Sequence, residues 1–203
     1  MSSGRSANRF LRVSLLIVEG VTGVGKSSTI RALQARGATL AFDEETTFGP
    51  YMDELAADPA MSNAARTRRF DAVLDRLESN RVPHTGISIV ERCWFSNVAL
   101  GDDWSIHDRN DERAAALGFR LALLDVPDEL FATRSLYRAE YDRRDWQAFN
   151  EMYGSEAAAI AAIRASQQRR REALTRTRMP TLVLDTAAMD WPAYASVLEV
   201  FAA

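Results

Sequence analysis

Residues 13–28 read VSLLIVEGVTGVGKSS. The first half is short, apolar and rich in β-branched residues, which predicts a buried parallel strand over 13–19. The second half fits the pattern G-x-x-x-x-G-K-[ST]. The fixed positions of this pattern are Gly20, Gly25, Lys26 and Ser27. Helical spacing then continues as far as Gly37. A glycine loop between a strand and a helix predicts a binding site for a phosphate chain.

The residue types in this loop explain how it would bind phosphates. Glycines let the backbone curl tightly, with several N–H groups turned toward one point. The helix that begins at Lys26 directs the positive end of its dipole there, and the Lys26 ammonium adds a full charge. The Ser27 hydroxyl is the expected ligand of Mg²⁺. The predicted phosphate-binding residues are Gly20, Val21, Thr22, Gly23, Val24, Gly25, Lys26, Ser27 and Ser28.

Lys26 is the only lysine in the chain, whereas every other long basic side chain is an arginine. A compact ammonium fits inside a closed loop where the larger, fork-shaped guanidinium does not. This bias in composition is consistent with a phosphate-binding role for Lys26.

Composition sets the class of protein. The 203 residues are 47% hydrophobic and 26% charged, with a net charge of −3, which predicts a single domain over 1–203 with a full core. The lone cysteine, Cys93, excludes an intrachain disulfide and favours the cytoplasm. Residues 1–10 are polar, are expected to be disordered and lack the apolar core of a signal peptide. No apolar run is long enough for a membrane span, and the mild acidity argues against nucleic-acid polymers as partners.

Strand and helix patterns alternate along the chain. Strands are predicted over 13–19, 38–42, 86–90, 121–126 and 181–185. Helices are predicted over 26–36, 51–80 with a break near Pro59, 94–100, 112–119, 128–137, 149–178 and 191–201, and loops over 43–50 and 101–108. This alternation predicts an α/β fold of three layers, with a five-stranded parallel sheet between helices.

Charged residues follow two of the predicted strands. Ligands of open α/β sheets bind beyond the carboxyl ends of the strands. Asp43, Glu44 and Glu45 follow the second strand, where one of them could act as a general base, or all three could form a solvated turn. Glu91 ends the third strand, at the position where an acid binds Mg²⁺ directly or through water, and Arg92 would face the phosphates.

Three further charged groups have weaker signals. Residues 138–146 are dense in both charges and form either a solvated helix junction or a lid, whose arginines would close over the transferring phosphoryl group. The arginines at 169–171 point to different faces of a helix, so we expect a solvated surface there. His84 and His107 are isolated, and both are predicted to lie on the surface or in loops.

Together these elements resemble the thymidylate kinase and deoxynucleoside kinase group. The matching segments are Glu19-Gly20, Glu91-Arg92, Leu124-Asp125-Val126-Pro127, the arginine-bearing segment 138–146 and Leu182-Val183-Leu184-Asp185. The resemblance covers the chain from Leu15 to about Asp185, and it implies a P-loop kinase fold. Thr22 stands where thymidylate kinases usually have an aspartate, and Cys93 where deoxynucleoside kinases often have a serine.

The resemblance implies roles for individual residues. Glu91 would lie near Mg²⁺, and Arg92 near the transferred or acceptor phosphate. Glu44 or Glu45 is similar to the glutamate that deoxynucleoside kinases use as base. Arg69 stands about where the group has an arginine that contacts the acceptor. The residues that look like lid arginines are Arg138, Arg143 and Arg144.

The sequence thus predicts a kinase that moves the γ-phosphoryl group of ATP, with Mg²⁺, to a nucleoside or nucleoside monophosphate. Glu45, Arg69 and Arg92 are the expected acceptor-binding residues. An acceptor that is a non-nucleotide hydroxyl compound, such as an antibiotic or a biosynthetic intermediate, is the alternative, and a regulatory NTPase is a weaker one. Apolar helices after Asp58 and after Asn150 could form a homodimer face.

Overall fold

The computed structural model describes residues 14–47, 53–54, 57–58, 60–79, 86–136 and 152–203. The predictions for residues 1–10, His84 and the lid segment 138–146, with Arg138, Arg143 and Arg144, lie outside these residues. The five strands are β1 (Ser14–Glu19), β2 (Thr39–Phe42), β3 (Ile87–Glu91), β4 (Phe119–Asp125) and β5 (Thr181–Asp185). The helices are α1 (Lys26–Gln34), α2 (Glu44–Thr47), α3 (Asn63–Ser79), α4 (Trp94–Leu100), α5 (Asp108–Leu117), α6 (Glu156–Ala173) and α7 (Trp191–Ala202).

The strands form one five-stranded parallel sheet, as the sequence predicts, and their order is β2-β3-β1-β4-β5. β1 lies at the centre, with Val18 beside Glu91 of β3 and Glu19 beside Leu123 of β4. The carboxyl ends of β1, β3 and β4 therefore meet at one edge of the sheet. Because ligands of such sheets bind at this edge, it is where the predicted site residues should converge.

Helices cover both faces of the sheet. Leu16 and Val18 of β1 belong to the core on the side of α1 and α7, whereas Ile17 belongs to the core on the side of α3 and α4. A strand that is buried on both sides needs apolar residues at almost every position. This explains the unbroken apolar run before the glycine loop and confirms the three-layer arrangement.

Two predicted boundaries differ from the structure. Residues 44–47, expected in a loop, form α2, because the Asp43 carboxylate accepts hydrogen bonds from the Thr46 amide at 2.9 Å and hydroxyl at 2.6 Å. Such a bond caps the first turn of a helix. α5 begins at Asp108, earlier than predicted, and ends before Gly118, whose φ of 84° stops the helix and releases Phe119 into β4.

The stretch after β4 is less regular than the helix predicted for 128–137. A 3₁₀ turn covers Asp128–Leu130, and a π-helical turn covers Ala132–Leu136. Within the described ranges, none of the helices is long and apolar enough to cross a bilayer.

His107 lies in the turn before α5, which agrees with the predicted loop, but the alternative of a surface position is wrong. The His107 ring is fully buried, and its Nε2 lies 3.0 Å from the Asp102 carboxylate. Asp102 also pairs with Arg66 of α3. The position of His107 therefore depends on an ion pair between two separate segments, which neither local composition nor spacing indicates.

Candidate active site

The loop of residues 20–25, which joins β1 to α1, needs glycine at three positions. Gly20, Gly23 and Gly25 have φ angles of 145°, 89° and 94°. A β-carbon at these positions would overlap the Leu124 carbonyl, the Arg134 carbonyl or the Trp191 ring, respectively. Only glycine adopts these angles without strain and leaves this space free. The glycine pattern therefore shapes a tight loop enclosed by β4, the π-helical turn and the start of α7.

Three side chains from outside the loop bind its backbone. Gln167 of α6 accepts a hydrogen bond from the Val21 amide at 3.3 Å and donates to the Leu124 carbonyl at 3.2 Å. Ser135 donates to the Thr22 carbonyl at 2.6 Å, and Thr186 donates to the Val24 carbonyl at 2.7 Å. These bonds hold the carbonyl oxygens of Thr22 and Val24 toward the protein. These contacts fix the shape of the loop, which suits a phosphate-binding role.

Lys26 begins α1 and is buried at the bottom of the loop. Its ammonium donates to the Val21 carbonyl at 3.3 Å. Burial, helped by the charge of Arg92, lowers the pKa of Lys26 from 10.5 to about 7, although Glu44, Glu19 and Glu91 act in the opposite direction. A lysine that is so poorly solvated is strongly stabilised by an anion. The site is therefore built for a ligand of high negative charge.

Ser27 and Glu91 are the residues predicted to bind Mg²⁺. Ser27 is exposed in the first turn of α1, and Glu91 is buried at the end of β3. Burial raises the pKa of Glu91, with Lys26 lowering it and Glu44 raising it further. Mg²⁺ binds few protein oxygens beside its phosphate ligands and waters. A hydroxyl and a carboxylate fit that share. The described part of the chain contains no cluster of three acidic, histidine or cysteine side chains that could hold a metal ion.

The structure separates the three acids after β2. The hydroxyl and amide of Thr46 lower the pKa of Asp43, which is occupied in capping α2. Glu44 lies 2.9 Å from the guanidinium of Arg92, whereas Glu45 is exposed. Thr47 ties α2 to β3 through a 2.6 Å bond to the Glu91 carbonyl. Of the three, Glu44 is the acid that the fold places beside Arg92 and the end of β3.

Arg92 has an unusual backbone conformation. Its φ is +64°, in the left-handed region that costs a non-glycine residue about 1–2 kcal/mol. The side chain is buried, its Nη1 donates to the Ser96 hydroxyl at 3.1 Å, and its amide donates to the Val18 carbonyl. Strain of this kind persists where the surrounding structure requires one geometry. Arg92 is therefore held in place rather than free to follow a ligand.

Two charged residues of the site, Glu19 and Arg170, were not identified in these roles from the sequence. Glu19 is fully buried at the end of β1, and Arg170 of α6, expected on a solvated surface, is only 3% exposed. Their side chains pair at 3.2 Å. One sequence pattern could have indicated the burial of Arg170. Ile163, Gln167 and Arg170 recur at helical spacing and form the buried face of α6.

Helices α3 and α4 carry buried polar atoms that have no hydrogen-bond partner among the described residues. Arg69 pairs with Glu54 through Nη2 at 2.6 Å, but its Nε and Nη1 have none within the described ranges. The same holds for the indole N–H of Trp94 and for both polar atoms of the Asn97 amide. Trp94 packs edge-on against Phe70 of α3, with ring centroids 5.7 Å apart. Leaving such groups unpaired is costly, so each of them is a candidate contact for a ligand.

No family model and no curated protein matches the sequence. Among solved structures, the chain is similar to the YorR protein of Bacillus subtilis in complex with phosphorylated GDP, with a TM-score of 0.60 and 15% identity over 92% of this chain and 94% of that one. A gluconokinase from Sinorhizobium meliloti has a TM-score of 0.54 and 17% identity over 94% and 95% of the two chains. A shikimate kinase from Acinetobacter baumannii, in complex with shikimate, has a TM-score of 0.52 and 15% identity over 95% and 94%. The chain therefore has the fold of P-loop kinases.

Proposed function

We propose that this protein is a small-molecule kinase that transfers the γ-phosphoryl group of ATP. The observation that carries the proposal is the Lys26 ammonium, which is buried beneath a preformed glycine loop with a pKa of about 7. A triphosphate is the ligand that would satisfy it. The similar solved structures support the reaction class, since two of them are kinases and a third contains a phosphorylated nucleotide.

Each residue of the site has a separate role in the proposed phosphoryl transfer. The loop amides and Lys26 bind the phosphates of the donor and orient them for in-line attack. Ser27 and Glu91 are the residues that would hold Mg²⁺, which neutralises charge on the phosphate oxygens. Arg92, at the end of β3, would stabilise charge on the transferred group or bind a phosphate of the acceptor. The predicted lid arginines, Arg138 and Arg143, would close over the donor and exclude water.

Glu44 is the general base that we favour for an acceptor with a hydroxyl group. A base must lie within hydrogen-bond reach of the proton it removes, near the transferred phosphoryl group. Glu44 lies against Arg92, and its charge acts on both Lys26 and Glu91. Asp43 is occupied by Thr46, and Glu45 is a second candidate for the base or for binding the acceptor. If the acceptor is a monophosphate, its oxygen is already ionised and no base is needed.

We further propose that the acceptor is a nucleoside or a nucleoside monophosphate. Among the described residues, neither the donor group nor the acceptor atom of the Asn97 amide has a partner, and this pair of groups is the arrangement that pairs with the edge of a nucleobase. Arg69 adds two nitrogens, Nε and Nη1, that likewise lack a partner in the described ranges and could donate to a carbonyl or phosphate oxygen. A sugar acid or a cyclic polyol has no planar donor–acceptor edge. An antibiotic or biosynthetic intermediate with a hydroxyl group is the second candidate.

A screen of acceptors tests the proposal. ADP release is measured with Mg²⁺ and ATP alone, then with nucleosides, nucleoside monophosphates, gluconate, shikimate and hydroxylated antibiotics. We expect slow release alone and at least tenfold faster release with one nucleoside or nucleotide. A rate of ADP release that no acceptor changes would instead indicate a regulatory NTPase. A rate that only gluconate or an antibiotic increases would refute the proposal that the acceptor is a nucleoside or a nucleoside monophosphate.

Two variants connect the screen to the site. Lys26→Ala should abolish turnover with any acceptor, and near-normal rates in this variant would contradict the donor assignment. Asn97→Ala should raise the KM for the acceptor by about tenfold, the effect of roughly one hydrogen-bonded pair, and leave the KM for ATP unchanged. Equal changes in both constants would place Asn97 outside the acceptor site.

A further inference from the structure

The Ser96 hydroxyl connects three charged side chains beneath the glycine loop. Ser96 is fully buried in α4. Its Oγ lies 3.0 and 3.2 Å from the two oxygens of Glu19, and it accepts from Nη1 of Arg92 and from Nη2 of Arg170, both at 3.1 Å. A serine hydroxyl has one donor and two lone pairs. All of its capacity is therefore used, and the geometry of the junction is determined.

Glu19 fixes this junction to the backbone of the site. Its carboxylate accepts from the Gly20 amide at 3.1 Å and from the Cys93 amide at 2.8 Å. Burial raises the pKa of Glu19, but Arg170, Arg92 and these two amides outweigh it and hold the pKa below its usual range. Glu19 is therefore a carboxylate at neutral pH. It joins the start of the glycine loop to the residue that follows Arg92.

Arg170 completes the junction from α6. Its Nε bonds Glu19 at 3.2 Å, its Nη2 bonds Ser96, and its Nη1 bonds the Ser166 hydroxyl at 2.6 Å. All three nitrogens of the guanidinium thus have partners. Because Arg170 neutralises much of the charge on Glu19, the carboxylate can lie close to Arg92 without cancelling its charge.

We infer that Ser96 is a positioning residue for phosphoryl transfer: with Glu19 and Arg170 it sets the direction of the Arg92 guanidinium at the edge of the glycine loop. The inference rests on the proposed function, because it assigns Arg92 to the transferred group or the acceptor. The left-handed backbone of Arg92 is consistent with it, since this conformation is strained and is stabilised by its surroundings. Misplacing a charged group by about 1 Å can lower turnover by about 100-fold.

The substitution Ser96→Ala tests this role, because it removes the acceptor of Arg92 Nη1 and Arg170 Nη2 while Glu44 still pairs with Arg92 and Glu19 with Arg170. We expect kcat to fall by about tenfold or more, whereas the affinity for ATP stays within about twofold because Lys26 and the loop are untouched. Ser166→Ala is the matched control, since it removes another hydroxyl that is bonded to Arg170, on α6. Its kcat should stay within about twofold of the wild type. Melting temperatures of both variants report folding.

A double-mutant cycle separates positioning from general support of the fold. In an Arg92→Lys background, Ser96→Ala should have little further effect on kcat, because the guanidinium that Ser96 directs is already gone. Full additivity of the two effects would refute the inference, as would equal kcat values for Ser96→Ala and Ser166→Ala. A wild-type protein that shows no acceptor-dependent ADP release refutes the proposed function itself, and this inference with it.

Discussion

Raising the pH from 7 to 9 should weaken the binding of ATP through a single group, Lys26. In the free protein, burial holds the pKa of this lysine at about 7. The phosphates of ATP attract the protonated form, so the bound protein holds the proton well above pH 7. Each binding event in alkaline solution must then take up one proton. Below pH 7 the ammonium is already present, and the affinity should level off.

The magnitude follows from linkage between the proton and the ligand. If ATP returns the pKa of Lys26 close to 10.5, the dissociation constant should rise by about 50-fold between pH 7 and pH 9. This corresponds to about 2.3 kcal/mol, at about 1.36 kcal/mol for each pKa unit. The Mg²⁺ complex of ATP stays fully ionised between pH 7 and pH 9, so the ligand itself does not contribute to the change of the dissociation constant with pH.

The composition of the chain makes the assay direct. Lys26 is the only lysine, so protein labelled with ¹³C-lysine has one side-chain Cε resonance, and its titration reports this pKa. Trp191 is one of four tryptophans and its ring lies against Gly25, so the change in tryptophan fluorescence of the wild type relative to a Trp191→Phe variant offers a reporter of ATP binding at each pH. Lys26→Met serves as control and should bind weakly with no pH dependence. An affinity that is constant from pH 7 to 9, or a resonance that titrates near 10.5, would refute the reasoning.

The other predictions concern the metal, the base and the lid. Glu91→Gln should raise the Mg²⁺ concentration for half-maximal turnover by about tenfold without lowering the melting temperature, and an unchanged metal titration would count against its role. With a hydroxyl acceptor, Glu44→Gln should lower kcat by about 10²–10⁴-fold, whereas Asp43→Asn, which keeps the cap of α2, should change it less than about threefold; the reverse order would make Asp43 the base. Replacing both Arg138 and Arg143 with Ala should lower kcat far more than the affinity for ADP, and equal losses would indicate simple binding.

The parts of the fold that depend on local sequence were predictable. The apolar run before Gly20 and the spacing of the glycines are local features, and they define the strand, the loop and the helix that follow. The position of Glu91 was also predictable, because the carboxyl ends of parallel strands share one edge of a sheet. α2 was missed because its helix depends on a side-chain cap by Asp43 in a segment too short for periodicity.

Residues that depend on distant partners were not predictable. Arg170 lies 151 positions from Glu19 in the sequence. Because arginine is charged, a solvent-exposed position is predicted for it unless its buried partner is known. His107 is buried because Asp102 also pairs with Arg66, across 36 residues. Asn97 gave no signal at all, since an unpaired amide becomes visible only when its neighbours are placed. Buried charge is thus a property of the tertiary structure and not of the local pattern.

The central place of β1 in the sheet has a consequence for how the protein is made. The strand that leads into the glycine loop occurs early in the sequence, yet both of its neighbours, β3 and β4, come from residues 87–125. A growing chain whose synthesis has reached residue 86 holds the whole phosphate-binding motif, but neither of the two strands that pair with β1 has yet been made. The chain should therefore become able to bind a nucleotide only when β3 and β4 have been synthesised and pair with β1.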